Sequence, residues 1–165
     1  MRCAARTAAP APASCVARLT DTTGENREPS WSPDGKRIAF TSLRDGDPGI
    51  YVMDVDGRHP TRLTQSSNID WLSAWSPDGA WIAFLSGPSL EGRRAASVHN
   101  DVYIVQPDGG GLRRLTNDGL VGTMAWSPDG RSIAFVSHKD ANHLDVCGRC
   151  NTDLYVVSVA AGAKP

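Results

Sequence analysis

Nearly the same ten residues occur three times in this chain: WSPDGKRIAF from Trp31, WSPDGAWIAF from Trp75 and WSPDGRSIAF from Trp126. The copies stand 44 and then 51 positions apart. A catalytic motif needs to occur once, whereas a phrase repeated at this period marks a structural unit that stacks on its neighbours. Further matches extend each copy. Leu-Thr precedes it (Leu19-Thr20, Leu63-Thr64, Leu115-Thr116), and an apolar run containing Tyr51, Tyr103 or Tyr155 follows it.

The unit reads as strands. The 16 Gly and 11 Pro are spread along the whole chain, and no long stretch places apolar residues at helical spacing. Short Val, Ile, Phe, Tyr and Trp runs bounded by Pro, Asp and Gly dominate instead. Ser-Pro-Asp-Gly predicts a tight turn, in which Pro sets φ at the first corner, the Asp carboxylate (Asp34, Asp78, Asp129) bonds local backbone and Gly accepts a positive φ. It joins strand A, ending at the Trp, to strand B. Strand C is the Tyr run, a second turn follows at Asp56-Gly57 or Asp108-Gly109, and strand D is the segment ending in Leu-Thr. Each unit is therefore expected to be a four-stranded antiparallel meander.

Strand C tells what the meanders pack against. In Ile50-Tyr51-Val52-Met53 alternate residues point to opposite faces, and both faces are apolar. A sheet with one wet face would alternate polar and apolar. Meanders buried on both sides stack face to face as the blades of a β-propeller, with Trp31, Trp75 and Trp126 as wedges between blades. The pattern LT, WSPDG, IAF, a Tyr run, DG and LT resembles the TolB-type, WD-repeat-like β-propeller repeat, over about residues 16–162. That resemblance implies an all-β propeller, most often six-bladed, that serves as a binding scaffold. It also implies an extracytoplasmic location, periplasmic or secreted, although this sequence shows no convincing signal peptide. Some relatives are propeller domains of prolyl-oligopeptidase-like peptidases, which makes a peptidase fragment the alternative reading, beside a small-ligand or metal-binding propeller. A peptidase would need a Ser nucleophile on a Gly-x-Ser-x-Gly elbow, and the sequence contains no such elbow. The chain is read as a non-enzyme.

Charge and hydropathy narrow the partners. Seventeen Lys and Arg balance eighteen Asp and Glu, and they are scattered. This speaks against nucleic acid as the partner. No apolar run is long enough for a membrane-spanning helix. Residues 1–14 read as a disordered tail and 15–165 as the propeller domain, with strand D at 16–20, blade one at 28–64, blade two at 72–116 and strands A to C of blade three at 123–159.

Length variation separates scaffold from binding surface. Trp to Phe is always nine residues, and Tyr to the next Leu-Thr is twelve in both complete cases, but Phe to Tyr is 11, 19 and 20. Only the B–C loop varies, and loops that vary on a fixed scaffold carry function. The face bearing the B–C and D–A connections is expected to bind an unidentified protein or peptide, with Asn68, Asp70 and Trp71 in a D–A loop and Arg93, Arg94, His99, His138 and His143 in the B–C insertions. His138, His143, Cys147 and Cys150 could together hold zinc. A disulfide between Cys147 and Cys150, free thiols and redox chemistry are the alternatives, and no other cofactor is expected. Asp45 and Asp47 make a poor calcium site. Asp101 and Asp153, two residues before a strand-C Tyr, are expected to bond loop backbone.

The strand count has a consequence. Residues 16–20 form a D strand with no A, B or C before it, and blade three has no D after it. Together they amount to three whole blades, below the usual range of roughly four to eight. A strand-exchanged homodimer would close a six-bladed ring, the present chain being half of it; the rival reading is a fragment of a longer six-bladed chain, whose other half would supply the same contacts.

Overall fold

The computed structural model describes residues 16–21, 24–65, 67–88, 100–117, 119–137 and 152–160. They contain eleven strands and no helix: β1 (Asn26–Trp31), β2 (Arg37–Ser42), β3 (Gly49–Asp54), β4 (Thr61–Arg62), β5 (Asn68–Trp75), β6 (Ile82–Pro88), β7 (Asp101–Val105), β8 (Arg113–Arg114), β9 (Val121–Trp126), β10 (Ser132–Ser137) and β11 (Asp153–Ser158). They form two four-stranded sheets, β1-β2-β3-β4 and β5-β6-β7-β8, and a three-stranded sheet, β9-β10-β11. All pairs are antiparallel neighbours in sequence. The three meanders are the three units of the repeat, each with strands A to D in chain order and the third with A to C.

Each blade opens before its expected boundary, blade one at Asn26 rather than Glu28 and blade three at Val121 rather than Thr123. Blade two opens at Asn68, four residues before the expected Leu72, so Asn68, Asp70 and Trp71 lie in a strand and not in a D–A loop. The reason is a bulge: Leu72 takes φ 55°, and pairing with β6 lapses between Trp71 and Ala74 before it resumes. Glu28, the matching position of blade one, takes φ 54° within the same break of register. A bulge turns the strand without ending it, which a polarity pattern does not reveal. The D strands are also shorter than the Leu-Thr segment suggested, two residues each.

The Ser-Pro-Asp-Gly turn is built identically three times. Ser32, Ser76 and Ser127 Oγ donate to Asp34, Asp78 and Asp129 at 2.6, 2.5 and 2.6 Å. Each carboxylate also accepts the amide two residues on, at 3.0 Å in all three. The same Ser hydroxyl accepts the amide that opens strand B. Gly35, Gly79 and Gly130 close the turns at φ 68°, 73° and 69°, a region only glycine enters freely.

The core lies between blades. Ala39, Ile50, Val52 and Leu63 of blade one pack with Trp75, Ile82, Phe84 and Val105 of blade two. Ala83, Leu85, Val102 and Ile104 of blade two pack with Ile133, Phe135, Tyr155 and Val157 of blade three. One interface thus occurs twice: the outer residues of strands B and C of one blade meet the Ile-x-Phe and Tyr face of the next. Ile82, Leu85, Ile104 and Ile133 are fully buried, each stabilising the fold by about 1.5–3 kcal/mol. Phe84 stacks on Tyr103 and Phe135 on Tyr155, at 5.7 Å between ring centroids in both blades.

Candidate functional site

In an antiparallel meander the A–B and C–D turns leave at one end and the B–C and D–A connections at the other. The described part of that second end is a row of side-chain networks. In blade one, Asn26 Oδ1 accepts from the buried Ser42 Oγ at 2.8 Å and from Arg44. The Arg44 guanidinium lies 4.8 Å from the Tyr51 ring centroid. In blade two, Asn68 Nδ2 donates to Ser86 Oγ at 3.2 Å.

A second network ties strand D to strand C. Thr64 Oγ1 accepts the Ile50 amide and Thr116 Oγ1 accepts the Val102 amide, so the Thr of Leu-Thr completes the ladder where the two-residue D strand stops. Arg62 Nε donates to the Thr64 carbonyl at 2.6 Å and Arg114 Nε to the Thr116 carbonyl at 2.8 Å. Arg114 then reaches the buried Asp101 at 2.5 Å. Asp101 also accepts from Thr116 Oγ1 and from the Gly119 amide in the D–A connection, the backbone-bonding role expected of it. In blade one Gly49 replaces that aspartate. The Arg62 guanidinium fills the vacated space, 2.7 Å from where a Gly49 Cβ would stand, and faces Asp45 instead. Asp45 also accepts the Tyr51 hydroxyl. Burial, followed by that bond, raises the Tyr51 pKa. Asp45 is therefore engaged by protein groups. Among the described residues no group of acids, His and Cys is placed to hold a metal.

Asp70 is buried within β5, and Trp71 packs beside the cluster between blades two and three, so both are part of the scaffold rather than a projecting loop. Trp75 is buried under Arg37, which sits 4.9 Å from its ring, and Trp126 donates to the Ala74 carbonyl of blade two at 3.0 Å. Both are wedges between blades. Trp31 has no preceding blade among the described residues and is 59% exposed. Arg93, Arg94, His99, His138, His143, Cys147 and Cys150 lie outside the described residues, as does the tail at 1–14. Sequence reading missed Glu28 and the Arg62 and Arg114 brackets. The Arg-Leu-Thr spelling shared by 18–20, 62–64 and 114–116 was the available signal.

At the opposite end, the serine bonds first and the backbone amides next hold the Asp34, Asp78 and Asp129 carboxyls below the usual carboxylate range.

Repeated meanders joined through alternating apolar faces define a β-propeller assembly of three units. Comparison with known proteins specifies it further. A family model described as the TolB beta propeller domain matches residues 13–139. A TolB homolog of Chlorobium luteolum is 32% identical over 77% of this chain and 27% of its own length. The Tol-Pal system protein TolB of Bordetella pertussis is 36% identical over 67% of this chain and 24% of its own length. The chain belongs to the TolB β-propeller family, and it spans about a quarter of the length of these two relatives. The crystal structure of TolB from Acinetobacter baumannii, 22% identical, superposes with a TM-score of 0.66 over 88% of this chain and 32% of that one. The tricorn protease, 16% identical with a TM-score of 0.60 over 88% of this chain and 15% of that one, shares the fold.

Proposed function

We propose that the chain is a non-catalytic TolB-type scaffold that binds a protein or peptide through the face carrying its B–C and D–A connections. The observation that supports this most is the contrast between constant and variable spacing. The Trp-to-Phe and Tyr-to-Leu distances repeat unchanged and the Leu-to-Trp distance stays within one residue (12, 12 and 11), while the B–C connection runs from 11 to 20 residues between Phe and Tyr. Beneath it, bonds such as those of Asp101 and Asn26 fix the strand ends, so the insertions stand on a rigid base. Because one relative is named for the Tol-Pal system, the first partner to test is a Pal-type protein, outside the cytoplasm. Replacing residues 89–99 or 138–151 by an Asn-Gly turn, which leaves β6 and its pairing with β5 intact, is expected to leave the melting temperature within a few degrees and to abolish capture of that protein. Capture by both replacements would overturn the reading.

In the same reading two copies close a six-bladed ring, and Cys147 and Cys150 form a disulfide, stay free thiols or, with His138 and His143, hold zinc. A zinc-to-chain ratio near zero after purification without added metal removes the zinc option.

A further inference from the structure

The segment Val16–Thr20 belongs to no sheet in the single chain, yet it already has the local form of strand D. Arg18 Nε donates to the Thr20 carbonyl at 2.5 Å, the bond that Arg62 and Arg114 make to Thr64 and Thr116. Leu19 packs against Ile38, Phe40, Tyr51 and Met53 of blade one. Leu63 belongs to the matching cluster on Ile82 and Phe84 of blade two, and Leu115 to that on Ile133 and Phe135 of blade three. Residues 16–20 are thus seated on blade one as a D strand is seated on the blade that follows it. Among the described residues no strand C stands beside them to pair with.

Blade three shows the complementary vacancy among the described residues. Its outer strand β11 has a free edge, and Leu154 and Val156 are 81% and 71% exposed. Their counterparts Ile50 and Val52, and Val102 and Ile104, are buried against the next blade. Asp153 occupies the position of Asp101. It is exposed and lacks the Arg and Thr partners that Asp101 has.

Resting on the six-bladed ring proposed above, we infer that a second copy of this chain occupies this edge in one register. The register follows from Tyr103↔Arg114 and Ile104↔Arg113 in blade two: Tyr155 pairs with the partner's Arg18, and Val156 with the partner's Ala17. Asp153 then receives the guanidinium of Arg18 and the hydroxyl of Thr20, as Asp101 receives those of Arg114 and Thr116. Leu154 and Val156 close against the partner's blade one, and the partner's Trp31 is covered as Trp75 is. Leu19 need not move, because Leu63 likewise sits on blade two while its own segment pairs with β3. Two such contacts related by a twofold axis close a ring and leave no free edge.

The experiment uses the full chain with its four cysteines changed to Ser. Ala17→Cys with Val156→Cys is expected to give a disulfide-linked dimer on mild oxidation. Ala17→Cys with Val157→Cys, one residue out of register, is expected not to. Light scattering of the unoxidised protein reads the ring separately. A dimer in which neither pair, or both equally, cross-link overturns the register and leaves the ring standing, and a monomer overturns both. Arg18→Asp or Asp153→Arg alone is expected to weaken the dimer about tenfold or more, and the two together to restore it. Failure of the pair to restore dimerisation removes the ion pair.

Discussion

The carboxylate of Glu28 accepts the backbone amide of Leu72 at 2.6 Å across the boundary between blades one and two. The same oxygen accepts the Thr41 hydroxyl at 2.9 Å. Each of the two residues is the positive-φ member of its own bulge, so one bulge supplies the acceptor for the other. Glu28→Ala strands an amide and a hydroxyl and is expected to cost about 1–3 kcal/mol, seen as a lower midpoint in urea. Glu25→Ala, which removes only the exposed pair with Arg27, should stay within about 0.5 kcal/mol.

Asp34, Asp78 and Asp129 give the fold a shared acid response. Their folded pKa values lie below that of an unfolded aspartate, about 3.9. The stabilisation is therefore complete above that value and fades as pH falls through the lower folded values. Changing all three to Asn is expected to flatten the fall of melting temperature as pH drops below about 4 relative to the parent. An unchanged slope would show that the turns carry none of it.

Asp101→Ala leaves Arg114, Thr116 and the Gly119 amide without their acceptor. The expected cost is about 2 kcal/mol, and hydrogen exchange at Gly119 should rise. In blade one the matching change, Gly49→Asp, meets only the far end of the flexible Arg62 side chain; the guanidinium can turn to pair with the new carboxylate as Arg114 pairs with Asp101, and the change is expected to be tolerated.

Gly57 holds φ 85°, and a Cβ there would stand 2.5 Å from the Leu19 carbonyl oxygen. Gly57→Ala is expected to lift residues 16–20 off blade one. Cleavage by trypsin after Arg18 reads this directly, and it should accelerate while the core of blades two and three keeps its protection.

The three Trp-Ser-Pro-Asp-Gly copies made blade number, turn geometry and strand order legible, because a turn chemistry written three times leaves little freedom. The burial of strand C on both faces was equally readable from Ile50 to Met53, since both of its faces are apolar. The bulges at Glu28 and Leu72 were not, as neither residue type favours positive φ and what supports them is a contact 44 residues away in sequence. The pattern around Asn68, Asp70 and Trp71 therefore reads as a loop although these residues open β5. The Arg62 bracket was hidden for a related reason: its carboxylate stands at Asp45 in blade one but at Asp101 in blade two, so aligned repeats do not share it.

That displaced carboxylate bears on how the repeat copies can diverge. Both blades balance the same half-covered arginine, one from strand C and one from the loop before it. A lineage passing between the two arrangements by losing the strand aspartate first crosses a state in which the guanidinium has no counterion. Adding the loop aspartate first keeps every intermediate folded. The order of two substitutions, rather than either one, decides whether such a repeat survives its own drift.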